Sequence, residues 1–224
     1  MSRLSILFVT SEMAPWVKTG GLGDVAAALP AALHRARHDV RVLLPAYPAL
    51  RTAFPQATAI ADLPALAPAL PPARLLAAAT GDGLPLLLLD CPELFDRPGN
   101  PYLDTHGHDQ TDNGLRFGLL SRVAALLGQA ASPLAWRPDV VHVNDWQSAL
   151  APAWLHYEGG AASVVTVHNI AFQGNFPADL LPALGLPDHA WRFDGVEYHG
   201  HLSFLKTGLQ LATLISTVSP TYAR

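Results

Sequence analysis

A doubly wound, mostly parallel α/β sheet with helices on both faces is the fold this sequence predicts, on three observations. Short apolar, β-branched runs alternate with stretches of helical periodicity, the pattern imposed by parallel strands covered on both faces. The chain has 224 residues, 50% of them hydrophobic and 14% charged, enough for one large core. The unusual polar residues fall where the apolar runs end, and such sheets bind ligands at the carboxyl edge of their strands.

Taken in order, "LSILFVT" (4–10), "VRVLLP" (40–45), "PLLLLD" (85–90), "VVHVND" (140–145), "SVVTVH" (163–168) and "LISTVS" (214–219) read as buried strands. Between them Leu22, Val25, Ala26, Leu29 and Leu33 form one helical stripe. Leu115, Leu119, Val123 and Leu126 form a second, and Leu202, Leu205, Leu209 and Ala212 a third. Pro30 removes a helical N–H, which predicts a kink there and not a clean continuous helix. The Ala/Leu/Pro-rich stretch from Ala57 to Pro72 reads as a surface loop with a short helix. No internal repeat is found, and the echo of "KTG" at 206–208 falls inside a helical pattern.

Composition excludes several classes of function. A net charge of -4 gives no basic stripe for nucleic acid, and no block of like charge marks a membrane patch. Cys91 is the single cysteine, which rules out an internal disulfide and a cysteine-rich zinc site and fits a reducing, cytoplasmic setting. Apolar runs break well short of a membrane span, and "MSRLSILFVTSEM" lacks the core and cleavage site of a signal peptide, so it reads as mature structure.

The stretch "VKTGGLGDVAAALP" (17–30) follows the first strand. It matches neither G-x-G-x-x-G nor the P-loop order, in which lysine follows the last glycine. What remains is Lys18 with Gly20 and Gly21 at a helix start, where unpaired N–H groups and the helix dipole favour an anion. A phosphate cradle and a plain structural turn both fit. Asn144 and Asp145 end another strand, and His168 and Asn169 a third, so three distant segments are brought to one sheet edge.

Read together, "SEMAPWVKTGGLGDVAAALP", "VLLPAYP", "LFDRPGNPYLD", "TDNGLRFGLLSRVA", "WRPDVVHVNDWQSALAP", "TVHNIAFQGNFP" and "FLKTGLQLATLISTVSPTYA" resemble the N-terminal half of the bacterial glycogen synthase and plant starch synthase family, in order and over nearly all 224 residues. The most specific parts are Lys18 to Asp24, Asn144 to Trp146 and His168 to Gly174. The resemblance implies two Rossmann-like domains facing a cleft (a GT-B enzyme), with residues 1–224 as the N-terminal, acceptor-side domain and the C-terminal nucleotide-binding domain outside this chain. It implies retaining transfer of glucose from ADP-glucose to the non-reducing end of an α-1,4-glucan, without metal or organic cofactor.

Carried over residue by residue, Lys18 contacts the donor's diphosphate while Gly20 and Gly21 let the backbone approach it. His168 lies against the donor glucose near the reacting carbon, and Asn169 and Gln173 meet sugar hydroxyls. Asp145 binds hydroxyls on the acceptor side and is grouped with His168 as catalytic; Asn144 stands where many bacterial members have histidine and plant members often asparagine. Asp24 is a donor- or acceptor-facing residue or a first-turn helix acid, and Tyr102 either stacks on glucan or packs.

Competing readings follow from the same residues. "DTHGHDQTD" and the "HGH" at 199–201 raise a metal site, though a polar loop seldom converges enough ligands. Asp24 and Asp145 raise a glycoside hydrolase, which has no diphosphate for a Lys–Gly helix entry to hold. A dinucleotide oxidoreductase lacks its glycine fingerprint, and a glucan-binding domain without activity of its own remains as the alternative.

Overall fold

The computed structural model describes residues 3–223. The chain runs β1 (Ser5–Val9), α1 (Gly21–Arg35), β2 (Asp39–Pro45), α2 (Pro48–Ala53), β3 (Thr58–Leu63), β4 (Ala73–Ala79), β5 (Pro85–Asp90), α3 (Pro92–Phe95), α4 (Asn113–Leu127), β6 (Val140–Asn144), α5 (Ala151–Tyr157) and β7 (Ala162–Val167). It continues through β8 (Asn175–Pro177), α6 (Leu180–Ala183), β9 (Glu197–Tyr198), β10 (His201–Ser203), α7 (Phe204–Leu211) and β11 (Leu214–Thr217).

The main sheet has the order β11-β7-β6-β1-β2-β5-β4-β3. The six expected runs are its parallel strands, β11 to β5. Leu7, Phe8, Val42, Leu43, Val141, Val143 and Val165 are fully buried, because helices cover both faces at its centre. A small antiparallel sheet, β8-β10-β9, follows β7 in the chain.

Three expectations are corrected. Within Ala57 to Pro72 the chain forms β3, which pairs antiparallel with β4, itself antiparallel to β5. Alanine is a poor strand former, but pairing to an existing sheet edge overrides that preference. Asp90, 2% exposed, binds Arg51 and Arg74, tying β4 and β5 to α2. Second, α1 runs through Pro30 to Arg35; Pro30 is buried with Leu22, Gly23 and Ala26, and that packing holds the helix across the lost N–H. Third, Leu202 belongs to β10, since α7 begins at Phe204.

One polar contact crosses three strands. His142 Nε2 meets Thr166 Oγ1 at 2.7 Å, and Thr166 Oγ1 meets Ser216 Oγ at 2.6 Å. Burial, with His168 nearby, pulls the His142 imidazole down to about 4. An unfolded histidine titrates near 6.5, so below that pH the unfolded chain binds the proton that the fold refuses. Stability is therefore expected to be fully present above pH 6.5 and to fall by up to about 3 kcal/mol as pH drops towards 4. Urea unfolding at pH 7, 5.5 and 4.5 checks this; a His142→Gln variant should lose most of the slope.

Candidate functional site

The chain enters the sheet at β1, builds β2 and β5 on one side, and returns through α4 to place β6 on the other. Crossovers thus reverse direction between β1 and β6, where loops diverge and open sheets leave a ligand crevice. The side chain of Asn144, fully buried at the end of β6, spans this point by donating from Nδ2 to the Val9 carbonyl at 3.0 Å. A carbonyl only accepts, so the Asn144 amide is oriented with Oδ1 away from β1.

That orientation fixes His168. Its Nε2 lies 3.0 Å from Asn144 Oδ1 and must be the donor. Burial pulls the His168 imidazole below its ordinary value, opposed by Asp145. The neutral ring therefore carries its proton on Nε2 and keeps Nδ1 as an acceptor, suited to a hydroxyl group.

Asp145 has a left-handed backbone (φ 52°), a conformation for which aspartate is among the more tolerant residues. Its Oδ1 accepts the N–H groups of His168 at 2.7 Å and Asn169 at 3.2 Å. Burial pushes its carboxyl up, while these two amides and His168 pull it back. Asp145 thus clamps the turn that presents His168, with one carboxylate oxygen committed to the backbone. Asn169 is exposed, and its Oδ1 accepts from the Ala171 N–H at 3.0 Å. Gln173 Oε1 accepts from Asn175 Nδ2 at 3.3 Å and makes no hydrogen bond to His168 or Asp145.

The 168–174 loop closes on Trp146. Gly174 has φ 61°, and a Cβ there would sit 2.4 Å from Trp146 Cε3, so only glycine fits. Trp146 in turn packs edge-on to Phe117 with ring centroids 5.0 Å apart. Gly174→Ala is expected to cost about 2–4 kcal/mol through backbone strain and overpacking, measured by urea unfolding; a cost below about 0.5 kcal/mol contradicts the rigid loop.

After β1, Gly20 caps α1 and nothing lies within 4 Å of a Cβ placed on Gly20 or Gly21. Among the described residues no partner is found for the N–H groups of Gly21, Leu22 or Gly23. Lys18 Nζ contacts Asp24 at 2.7 Å, with both side chains about half exposed. Asp24 stands in the first turn of α1, as the helix-acid reading expects, and pairs there with Lys18. Gly23 leaves room for the Lys18 stem, whose Cγ would lie 3.1 Å from an added Cβ.

Sequence reasoning missed Glu12, the acid in "TSEM" just past β1, 3% exposed. It accepts the Thr19 N–H and hydroxyl, each at 2.6 Å, and the Gly20 N–H at 3.4 Å. The only signal was a lone acid in an apolar stretch at a strand end. Tyr102 shows the packing alternative. Its hydroxyl meets Glu12 Oε1 at 2.5 Å and Ser11 Oγ at 2.8 Å, and its ring packs towards Phe117 and Trp146. The ring is partly buried and tilted against these two aromatics. Beside this loop a cavity of about 410 Å³ opens among Trp16, Lys18, Tyr47, Arg97 and Asn100.

The histidine-rich loop has a local explanation. Asp104 Oδ1 accepts the N–H groups of His106 and His108, forming an Asx-type turn. Among the described residues no three His, Cys, Asp or Glu side chains converge as metal ligands, and no helix is long and apolar enough to cross a membrane.

Fold and site together define an α/β domain with a lysine loop and helix N-terminus after β1 and a neutral histidine after β7, the two strands lying either side of β6 in one parallel sheet. A family model described as "Starch synthase catalytic domain" matches residues 5–224, and the chain belongs to that family. It is 78% identical over 224 residues to a glycogen synthase of Dechloromonas aromatica, covering 100% of this chain and 46% of that protein. A glycogen synthase of Aromatoleum aromaticum is 57% identical over 225 residues, covering 100% and 45%. A solved structure, the catalytic domain of Starch Synthase IV from Arabidopsis thaliana bound to ADP and acarbose, superimposes with a TM-score of 0.78 at 28% identity, covering 99% of this chain and 46% of that one. The chain thus spans about half the length of the relatives it matches and corresponds to their N-terminal part.

Proposed function

We propose that this domain is the acceptor-side half of a retaining glucosyltransferase that moves glucose from ADP-glucose to the non-reducing end of an α-1,4-glucan. The observation that carries the reading is that loops at one edge of the sheet carry two chemistries, and the reading places them on the two walls of one cleft. On one wall Lys18 and the free amides of α1 suit a departing diphosphate. On the other, His168 presents a neutral acceptor to sugar hydroxyls. In the transfer, the bond from C1 to the diphosphate breaks, a bond to the acceptor's O4 forms, and the hydroxyl proton leaves with ADP. The positive charge that develops at C1 is best tolerated beside an uncharged imidazole and the carboxylate of Asp145.

The names of the relatives, and the ADP and acarbose in the Arabidopsis structure, support the nucleotide and saccharide parts of this reading. Asn169 and Gln173 are assigned to sugar hydroxyls, Gly20 and Gly21 to backbone contact with the diphosphate. The partner is a second, nucleotide-binding domain, and the reaction uses no metal or organic cofactor, no nucleic acid and no membrane, in a cytoplasmic setting.

The test is transfer of labelled glucose from ADP-glucose to maltooligosaccharide, run on the two-domain protein and on the 224-residue chain alone, with NAD binding measured alongside. Transfer is expected only when both walls of the cleft are present, because proximity and water exclusion carry much of the rate. Absence of transfer by the two-domain protein, or NAD binding tighter than ADP-glucose, sinks the reading.

A further inference from the structure

We infer that Glu12, acting with Tyr102, is the positioning residue that sets which backbone amides the donor's diphosphate meets; this rests on the transferase reading above. Glu12 is buried, and among the described residues no Lys, Arg or His lies within 4.0 Å of its carboxylate. Its charge is held instead by four donors: the Thr19 N–H, the Thr19 hydroxyl, the Gly20 N–H and the Tyr102 hydroxyl. A buried carboxylate without a cation is costly unless it is fully hydrogen-bonded, so the loop is organised around it.

The direction of each bond follows from proton counting. Glu12 as a carboxylate only accepts, so Tyr102 gives it the single phenolic proton. The contact between Ser11 Oγ and the Tyr102 oxygen then runs from Ser11 to Tyr102. Burial and the Glu12 charge push the Tyr102 phenol upward, which keeps that proton in place. The far side of the Tyr102 ring packs towards Trp146, the neighbour of Asp145. One brace therefore links the Lys18 loop to the crevice wall that carries His168.

Two consequences concern the ligand. The Thr19 and Gly20 amides point inward to Glu12 and are closed to a phosphate, while those of Gly21, Leu22 and Gly23 stay free. Glu12 also places negative charge behind the loop, which repels a diphosphate from sliding towards Thr19. The donor is thus held in one register, with its phosphates at the start of α1 and Lys18 alongside.

Glu12→Gln puts an N–H₂ group where donors already converge, and Tyr102→Phe removes one donor while keeping the ring. In the two-domain protein, Glu12→Gln is expected to raise the ADP dissociation constant and the ADP-glucose KM about tenfold, and Tyr102→Phe about threefold. The maltooligosaccharide KM should stay within about twofold of the parent in both. Donor and glucan constants that change together, or a donor constant that stays at the parental value in both variants, overturn the inference; if Glu12→Gln fails to fold, Tyr102→Phe decides. A parent protein that binds no ADP overturns the transferase reading itself and this inference with it, an outcome visible before any variant is compared.

Discussion

Replacing His168 with alanine is expected to lower turnover of the two-domain protein at least about a hundredfold, the cost of losing one preorganised polar group at the reacting centre. The preorganisation is visible as a chain of fixed choices. Val9 fixes the Asn144 amide, Asn144 fixes the proton of His168 on Nε2, and Asp145 clamps the His168 backbone. Alanine removes the ring but not the backbone clamp, so the fold should persist with its thermal midpoint near that of the parent. Asn144→Leu removes the amide that sets the tautomer and should reduce turnover in the same direction. Steady-state kinetics with circular dichroism as a fold control decides the matter; near-parental turnover in a folded His168→Ala protein makes His168 structural.

Lys18→Ala should lower kcat/KM for ADP-glucose by about 10²–10³, since it deletes a cation aimed at charge that grows on the leaving diphosphate. The pairing of Lys18 with Asp24 does not argue against this. Both side chains are about half exposed, and an ion pair in that setting is worth less than about 1 kcal/mol, so a diphosphate displaces Asp24 readily. The glucan KM should remain within about twofold of the parent, because the proposed function places Lys18 on the donor side. Lys18→Arg restores charge but not the compact ammonium, and should recover only part of the loss. If Lys18→Ala leaves donor kinetics unchanged, the Lys–Gly loop is a plain turn.

Much of the fold was legible because burial on both faces leaves an unmistakable residue pattern. Each of the six parallel strands coincides with a run of the apolar kind, β2 and β7 beginning one residue earlier, and α1 and α4 follow their leucine stripes. The β3–β4 pair was not legible. Its strands read TAIADL and ARLLAAA, rich in alanine and poor in β-branched residues, and what makes them strands is the edge of β5 lying beside them. In the same way Pro30 signals a break locally, while the buried face of α1 overrides it.

The candidate site divides along the same line. Its expected location came from sequence alone, because Lys18 lies in the loop after β1, Asn144 ends β6, Asp145 and His168 directly follow β6 and β7, and strand ends share one edge of a parallel sheet. The family resemblance then supplied a chemistry for those positions. What each side chain does with its protons and partners was decided only in three dimensions. Asp24 as counter-ion of Lys18, Tyr102 as brace, and the acceptor nitrogen of His168 all depend on contacts made across the fold or across the loop entering α1. Glu12 shows the difference most directly: in the sequence it is one acid after a strand, and in the fold it is the buried anion around which a loop and Tyr102 are arranged. Periodicity encodes which face of an element is apolar and hence where strands end, whereas hydrogen-bond direction depends on which donors and acceptors tertiary packing brings within 3 Å or so of one another.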